Sequence, residues 1–338
     1  MRKVTSLVVF SVISALAGAA QDSAPLKLLQ TFKMPPSVHG HFDHFGVDLH
    51  GNRLFSTAEG FKAVLVFDLQ TGRLIHTIGG IGIPHAVLYR EDLNRIYVTD
   101  GGEGALKIFD GESYNLLKSI PLFVDADSIV YDPHTRYLYI VNGGGDAHQT
   151  ASTITIVDTT SGERVSNLKV EGDTLEAMAL ETSSPRLYVN NRAKNQVEVI
   201  DRDKHTILAT WPITEGKVNV AMALDEPAHR LFVACRSGQI VVVDTQTGKE
   251  LQALVIDKGV DDLVFDAASK RLYAACGEGE GSVVVYKEVG PDSYESLGKV
   301  PSGPAGRTAR LVPELSKYFV AVPAHGDTPA QILVYDVH

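Results

Sequence analysis

Apolar and polar residues alternate with a period of two over most of the chain, and this alternation recurs in units of similar length. Six of the seven units open on Arg or Lys followed by an apolar and an aromatic residue, as in Arg-Leu-Phe at Arg53. Further along each unit, an apolar stretch usually closes on an acid, as at Asp68, and turn residues such as Thr71-Gly72 follow. This period indicates half-buried β-strands rather than helices.

The units begin at seven positions, separated by steps of 41 to 49 residues. These positions are Arg53, Arg95, Tyr137, Arg186, Arg230, Arg271 and Lys317. Four short strands per unit and a step of about 40 to 50 residues are typical of β-propeller blades. We therefore predict an all-β fold, a seven-bladed β-propeller of four-stranded antiparallel blades.

The two ends of the chain predict how the ring closes. The last unit ends at His338 after its third strand, which leaves the edge of that sheet uncovered. Residues 27–32 resemble the outer strands at 73–78 and 115–120 but have no unit in front of them. We expect this N-terminal strand to complete the last blade, so that residues 21–338 form a single propeller domain. A ring without free edges also predicts a monomer.

The first twenty residues have the pattern of a signal peptide. A positive start, Met1-Arg2-Lys3, precedes a mostly apolar stretch at 4–17 and the small residues Gly18-Ala19-Ala20. We expect cleavage after residue 20 and export to the periplasm or the medium. The alternative is an N-terminal membrane anchor, for which this apolar stretch is short. No other stretch has eighteen consecutive apolar residues, which predicts no transmembrane segment in the mature chain.

Two of the units carry a recognisable strand motif. Arg-Ile-Tyr-Val-Thr-Asp at 95–100 and Arg-Leu-Tyr-Val-Asn-Asn at 186–191 resemble the motif of the YVTN-repeat β-propeller family, and the likeness extends over all seven units. The resemblance implies a propeller. It leaves the function open, because propellers of this type include binding, surface-layer and uncharacterised exported proteins.

The charge balance limits the partners that we expect for this protein, and the positions of its two cysteines limit the disulfides that it can form. The chain has 41 acidic and 31 basic residues with no run of Lys or Arg, so we expect no nucleic-acid binding. Cys235 and Cys276 occupy equivalent points of neighbouring units. Such points on adjacent sheets lie further apart than a disulfide allows, which predicts two buried free thiols.

Candidate site residues come from one position of the repeat. Ten residues before the start of each unit lies the beginning of the innermost strand, at the mouth of the central channel. The seven residues there are Asp43, His85, Asp127, Glu176, Val220, Asp261 and Arg307. Six of them are ionisable, which is more than this composition gives by chance. Further candidates are the neighbours His41, His44, Asn219 and Asp262, and His148 in the glycine-rich loop of the longest unit.

Clustered carboxylates at a narrow mouth favour a bound cation, because Arg307 neutralises only part of their charge. Two sets of ligands for one divalent metal are open. The set for Ca²⁺ is Asp127, Glu176, Asn219 and Asp261. The set for Zn²⁺ or another transition metal combines Asp43 with His41, His44 or His85.

Three interpretations of the mouth remain. The first is an exported protein that binds a small molecule, a metal or a partner protein there, with Asp262 and His148 among the contacts. The second is a metal-dependent hydrolase similar to the lactonase-type propellers, with His85 or His44 as general base and Arg307 as a clamp for an oxyanion. The third is a solvated, salt-bridged rim that binds no ligand.

Overall fold

The protein is described by a computed structural model at residues 24–145 and 147–337. This part of the chain contains twenty-eight β-strands and two short 3₁₀ helices, at Glu91–Leu93 and Pro313–Leu315. The predicted leader, residues 1–20, lies outside the described residues and stays a prediction. No helix in the described part is long and apolar enough to cross a membrane.

The strands follow one another in the order that the repeat predicts. They are β1 (Lys27–Lys33), β2 (Phe42–Asp48), β3 (Arg53–Ala58), β4 (Ala63–Asp68), β5 (Leu74–Ile78), β6 (Pro84–Arg90), β7 (Arg95–Asp100), β8 (Ala105–Asp110), β9 (Leu116–Pro121), β10 (Ala126–Asp132), β11 (Tyr137–Asn142), β12 (Ala151–Asp158), β13 (Glu163–Glu171), β14 (Leu175–Leu180), β15 (Arg186–Asn191), β16 (Gln196–Asp201), β17 (Thr206–Pro212), β18 (Asn219–Asp225), β19 (Arg230–Cys235), β20 (Gln239–Asp244), β21 (Glu250–Val255), β22 (Val260–Asp266), β23 (Arg271–Cys276), β24 (Ser282–Gly290), β25 (Ser293–Pro301), β26 (Thr308–Val312), β27 (Lys317–Val322) and β28 (Gln331–Asp336).

These strands form seven four-stranded antiparallel sheets, which are the blades of a propeller. We number the blades from blade 1, strands β2 to β5, to blade 6, strands β22 to β25. Blade 7 has the order β1-β28-β27-β26, with Lys27 opposite Asp336 and Lys33 opposite Gln331. The predicted fold class and its closure by the N-terminal strand are therefore confirmed.

The core lies between neighbouring blades, because both faces of each sheet are covered. In β3 every residue after Arg53 is buried, and the corresponding strands of the other blades follow the same pattern. At the closure, the ring of Phe32 lies 6.2 Å from that of Phe67 and 6.1 Å from that of Phe319. Burying one such side chain contributes about 1.5 to 3 kcal/mol, so this contact between blades 7 and 1 stabilises the closed ring.

The repeated Arg and Asp residues have structural contacts on the face opposite the mouth. Arg53 forms an ion pair of 2.7 Å with Asp48. The carboxylate of Asp68 accepts hydrogen bonds from the backbone N–H groups of Gln70 and Thr71, at 3.1 and 2.8 Å. Asp110 and Asp244 hold their turns in the same way. These residues therefore order the hairpins and turns of the blades.

Both cysteines are buried and free, as the spacing of the repeat predicts. Burial raises the pKa of each thiol to about 12. A thiol with so high a pKa is a poor nucleophile and a poor metal ligand at neutral pH. Cys235 and Cys276 are therefore core residues.

Candidate functional site

The innermost strands of the blades all run away from the same face, so their first residues meet at one mouth. All seven residues found by counting back from the repeat line a single cavity there, with a volume of about 280 Å³. Asp43, His85, Asp127, Glu176, Val220 and Asp261 are each the second residue of an inner strand, and Arg307 directly precedes β26. The strand direction and the repeat therefore account for their convergence.

On blades 1 to 3, carboxylates surround a histidine. Nδ1 of His85 lies 2.8 Å from Oδ2 of Asp43 and 3.6 Å from Oε1 of Glu59. On its other side, Nε2 of His85 lies 3.8 Å from Oδ1 of Asp125. The imidazole is mostly buried, with 14% of its side chain exposed. We call this part of the mouth, with Asp43, His44, Glu59, His85, Asp125 and Asp127, the histidine half.

The second histidine lies at the inner end of this cavity and also lines a second cavity beneath it. Nδ1 of His44 lies 3.2 Å from Oδ1 of Asp262 on blade 6, and Nε2 lies 3.5 Å from Oγ of Ser128 on blade 3. Nε2 is also 3.5 Å from Oδ1 of Asp43. A side chain from blade 1 that contacts both blade 3 and blade 6 must lie near the axis of the ring. His44 therefore lies in the channel, between the mouth and the second cavity.

On blades 4 to 7, each carboxylate is held by a guanidinium group. Arg236 donates a hydrogen bond to Oδ1 of Asp261, and Nε of Arg307 lies 2.9 Å from its Oδ2. Nη1 of Arg192 lies 2.9 Å from Oε1 of Glu176. We call these five residues the arginine half. Arginine does not lose its proton in proteins, so the positive charges in this part of the mouth are permanent.

Burial raises the pKa of one acid in each half of the mouth. Burial raises the pKa of Asp127 to about 7, where the positive charges of the two histidines only partly oppose it. Burial together with repulsion from Asp127 and Asp261 raises the pKa of Glu176 to about 7. Both shifts show carboxylates that lack enough positive charge around them.

The pKa values of the two histidines also rise, which favours their charged form, whereas the same direction favours the neutral form of the acids. Burial lowers the pKa of His85, but hydrogen bonds to Asp43 and Glu59 outweigh it and raise the value to about 12. The pKa of His44 rises well above its usual value, because attraction to Asp43 and Asp262 outweighs burial. Both imidazoles therefore carry a proton at neutral pH. A protonated histidine does not act as a general base, which disfavours that predicted role for His85 and His44 without a metal.

Four predicted site residues lie away from this cavity. Asn219 is fully buried and donates hydrogen bonds to Oδ1 of Asn190 and to the backbone oxygen of Gln196, at 2.8 and 3.0 Å. His41 and His148 are exposed and do not line the cavity. The structure therefore brings three of the four predicted Ca²⁺ ligands to one cavity, but Asn219 points elsewhere, and Glu176 and Asp261 pair with arginines. Asp262 lies below the mouth, with His44.

Four ionisable residues of the mouth were missed at the sequence level. They are Glu59, Asp125, Arg192 and Arg236. Glu59, Arg192 and Arg236 each stand six residues after the start of a unit, directly beyond the second strand of the blade. A count of six residues forward from the start of each unit, in addition to the count of ten residues back, finds these three residues.

Glycines occupy the same position in three other blades. A Cβ at Gly143 would lie 2.0 Å from Oδ2 of Asp125, and a Cβ at Gly101 would lie 2.6 Å from the ring of His85. The third, Gly277, would meet the side chain of Arg307 at 2.9 Å. These glycines leave the space that the charged side chains of the mouth occupy.

Two groups of side chains in the described part of the chain could hold a metal ion. One consists of Asp43, His44 and Asp127, and the other of Asp43, Glu59 and His85. Within each group the candidate ligand atoms lie within 4.8 Å of one another. Both groups mix imidazole with carboxylate and share Asp43. This donor set suits Zn²⁺ or a related transition metal better than Ca²⁺, which takes oxygen ligands only.

Comparison with known proteins adds support for the fold. No family model and no curated protein matches the sequence. Among solved structures 1704 chains match, one of them in the crystal structure of the mitotic checkpoint complex. That chain aligns with a TM-score of 0.76 at 14% identity, and the match covers 99% of each chain. Identity this low shows the fold alone. The resemblance to YVTN-repeat propellers stays a prediction without a matching family model.

Proposed function

We propose that this protein is an exported binding protein that holds a divalent transition-metal ion in the histidine half of its mouth, together with a small polar ligand. The observation that carries the proposal is the position of Asp43. Its carboxylate belongs to both three-residue groups and lies between the two histidines.

The charge distribution supports a cation at this place. The mouth is lined by six carboxylates, three guanidinium groups and two imidazoles. The guanidinium groups contact Glu176 and Asp261, whereas the carboxylates of blades 1 and 3 face imidazoles. A dication would replace the protons on these imidazoles and offset the same carboxylates. The buried acids with raised pKa values would then become ionised.

The choice of metal follows from the ligand types. Imidazole nitrogen and carboxylate oxygen form many tetrahedral and five-coordinate sites for Zn²⁺, in which one position remains for water or a ligand. Each group supplies three side chains, which leaves such a position open towards the cavity. A polar ligand on the metal would also come within reach of Arg236 and Arg307 across the mouth.

Elemental analysis of the purified mature protein, followed by titration of chelator-treated protein with Zn²⁺, tests the proposal. We expect about one equivalent of metal and a melting temperature that rises with Zn²⁺. Asp43→Asn should weaken Zn²⁺ binding at least about tenfold. Glu176→Gln is the matched control, because this carboxylate lies in the same cavity but pairs with Arg192. Protein without metal and without any response to Zn²⁺, or equal losses in both variants, would contradict the proposal.

A metal-dependent hydrolase is the second candidate function. It is favoured by the presence of Arg307 in the same cavity as the two metal-binding groups, where it could hold an oxyanion. A bound metal would polarise a carbonyl group and lower the pKa of water. Lactone and ester hydrolysis by Zn²⁺-loaded protein, lost in Asp43→Asn, would support this function. Zn²⁺ binding without turnover of these substrates would support the function as a binding protein and contradict the function as a hydrolase.

A further inference from the structure

The two groups of candidate metal ligands in the histidine half meet at one carboxylate, and each group faces a different oxygen of it. Oδ2 of Asp43 lies 2.8 Å from Nδ1 of His85, and Glu59 belongs to the same group. Oδ1 of Asp43 lies 3.5 Å from Nε2 of His44, and Asp127 belongs to that second group. A carboxylate that presents one oxygen to each of two ligand groups has the arrangement needed to bridge two metal ions.

One pair of atoms in each group is already spaced for a shared ion. With bonds of about 2.0 to 2.1 Å, two ligand atoms on a tetrahedral Zn²⁺ lie roughly 3.3 Å apart. Nε2 of His44 and Oδ1 of Asp43 are 3.5 Å apart, and Nδ1 of His85 and Oε1 of Glu59 are 3.6 Å apart. Both distances are longer than those of ordinary hydrogen bonds. The shorter contact, between His85 and Oδ2 of Asp43, is a hydrogen bond whose proton a metal ion would replace.

The other nitrogen of each imidazole faces a further carboxylate. Nδ1 of His44 lies 3.2 Å from Oδ1 of Asp262, and Nε2 of His85 lies 3.8 Å from Oδ1 of Asp125. Oδ2 of Asp262 in turn accepts a hydrogen bond of 2.7 Å from the backbone N–H of Ala309. Metal-binding histidines in proteins usually have such an oxygen at their second nitrogen, because it fixes the tautomer and the orientation of the ring. Both histidines therefore have the surroundings of metal ligands.

A bulge in β2 brings two consecutive ligands into the channel. Successive side chains of a regular strand point to opposite faces, so Asp43 and His44 would diverge. The pairing of β2 with β3 shifts between Phe42 and Phe45, and a bulge of this kind changes the direction of side chains. Both residues line the mouth cavity as a result. The inner strands of blades 2 to 6 shift at the same point, so the fold provides the bulge and blade 1 adds the carboxylate and the imidazole.

The charge of this part of the channel also favours two ions over one. Five carboxylates belong to the two groups or face their imidazoles, and they are Asp43, Glu59, Asp125, Asp127 and Asp262. An imidazole that binds a metal is neutral and adds no charge. When all five acids are ionised, one dication leaves three negative charges unmatched, and two dications leave one.

We propose that the histidine half holds two divalent transition-metal ions bridged by Asp43, with His44 and Asp127 on one ion and Glu59 and His85 on the other. This proposal rests on the proposed function and adds a second ion to it. Two-metal sites in proteins hold their ions about 3.5 to 4 Å apart. The second ion binds more weakly than the first, because the two positive charges repel each other. Purified protein with about one equivalent of metal therefore takes up the second ion on titration.

Calorimetric titration of chelator-treated protein with Zn²⁺ counts the ions. We expect two equivalents, the second with a weaker affinity. Asp127→Asn and Glu59→Gln each remove a ligand of one ion only, so each variant should bind one equivalent at concentrations that saturate the wild type. The equivalent that remains shows that the variant is folded. Glu176→Gln is the matched control and should bind two, because Glu176 lines the same cavity but pairs with Arg192.

Electron paramagnetic resonance of protein with two equivalents of Cu²⁺ tests the bridge. Two Cu²⁺ ions within a few ångströms interact magnetically and give a signal at half of the usual field, whereas ions on separate parts of the molecule do not. We expect this signal in the wild type and in Glu176→Gln. It should be absent from Glu59→Gln, which keeps one ion only, and from Asp43→Asn, which lacks the bridge.

The outcomes separate this proposal from the proposed function. Protein that binds no metal would contradict both. One equivalent of Zn²⁺ at saturation would overturn the second ion and leave a protein that binds one metal. Two equivalents that persist in both Asp127→Asn and Glu59→Gln would place the ions elsewhere and overturn the assignment of ligands. Two equivalents of Cu²⁺ without the half-field signal would overturn the bridge.

Discussion

The histidine half and the arginine half of the mouth contain the same kind of acid but different cations. In the arginine half, Asp261 and Glu176 pair with guanidinium groups that keep their protons. In the histidine half, Asp43 pairs with imidazoles, which under the proposed function give up a proton when a metal binds. The comparison teaches that the chemistry of an acidic rim depends on whether its cations can exchange their protons. Three changes test this comparison.

We expect the largest effect on Zn²⁺ binding when the imidazole of His85 is replaced by a side chain that keeps its proton at neutral pH. His85→Lys keeps a positive charge beside Asp43 but cannot make way for a metal at neutral pH. We expect the variant to fold and to lose stabilisation by Zn²⁺, which reaches about 2.7 kcal/mol at a hundred times the dissociation constant. Melting curves with and without Zn²⁺ measure this. His148→Lys, outside the cavity, is the control and should respond like the wild type. A full Zn²⁺ response in His85→Lys would show that the two halves do not differ in this way.

A smaller effect is expected from removing a permanent cation. Arg236→Met leaves the carboxylate of Asp261 with Arg307 alone, and we expect a loss of about 2 kcal/mol in the free energy of unfolding, because both side chains are mostly buried. Urea unfolding measures the loss. Adding Asp261→Asn should recover part of it, since the uncompensated charge is then gone. A loss that the second substitution only increases would mean that packing, rather than charge, stabilises this side.

The smallest effect concerns pH. The pKa of Glu176 is about 7 in the folded protein and about 4.5 otherwise, so the folded state holds this proton more tightly. Its contribution to stability is therefore complete below about pH 4.5 and is lost as the pH rises through 7. In chelator, Glu176→Gln should raise the free energy of unfolding at pH 8 by about 1 kcal/mol and change it little at pH 5.

Urea unfolding of both proteins at the two pH values measures this difference. Asp127, Asp261 and Arg192 all face Glu176 and act on its charge. If attraction to Arg192 exceeded the repulsion and burial, Glu176→Gln would instead be less stable than the wild type at pH 8. That result would place Glu176 among the stabilising ion pairs.

Sequence reasoning worked where the repeat carried the information. The steps between Arg53 and its counterparts predicted seven blades, and the unpaired segment at 27–32 predicted the closure. Counting back by ten found seven residues of the mouth because every inner strand starts at the same face. Counting did not find Glu59, Arg192 and Arg236, since they come from a different strand of each blade.

Local sequence could not decide where individual side chains point. Asn219 adjoins the mouth in sequence, yet the alternation of the strand turns it towards Asn190 of the neighbouring blade. His41 and His148 have the chemistry of metal ligands but stay exposed. His44 reaches across the channel to Ser128 and Asp262, contacts that involve blades far apart in the chain.

The sequence by itself determined the architecture of this protein, because strand alternation, turn residues and unit length are local properties that recur seven times. It also determined seven of the residues that gather at the mouth, because they recur at one position of the repeat. Only the tertiary structure decided which acid of the mouth meets an arginine and which meets a histidine. Those pairings depend on distances of a few ångströms across a ring of seven blades, and no short stretch of sequence specifies them.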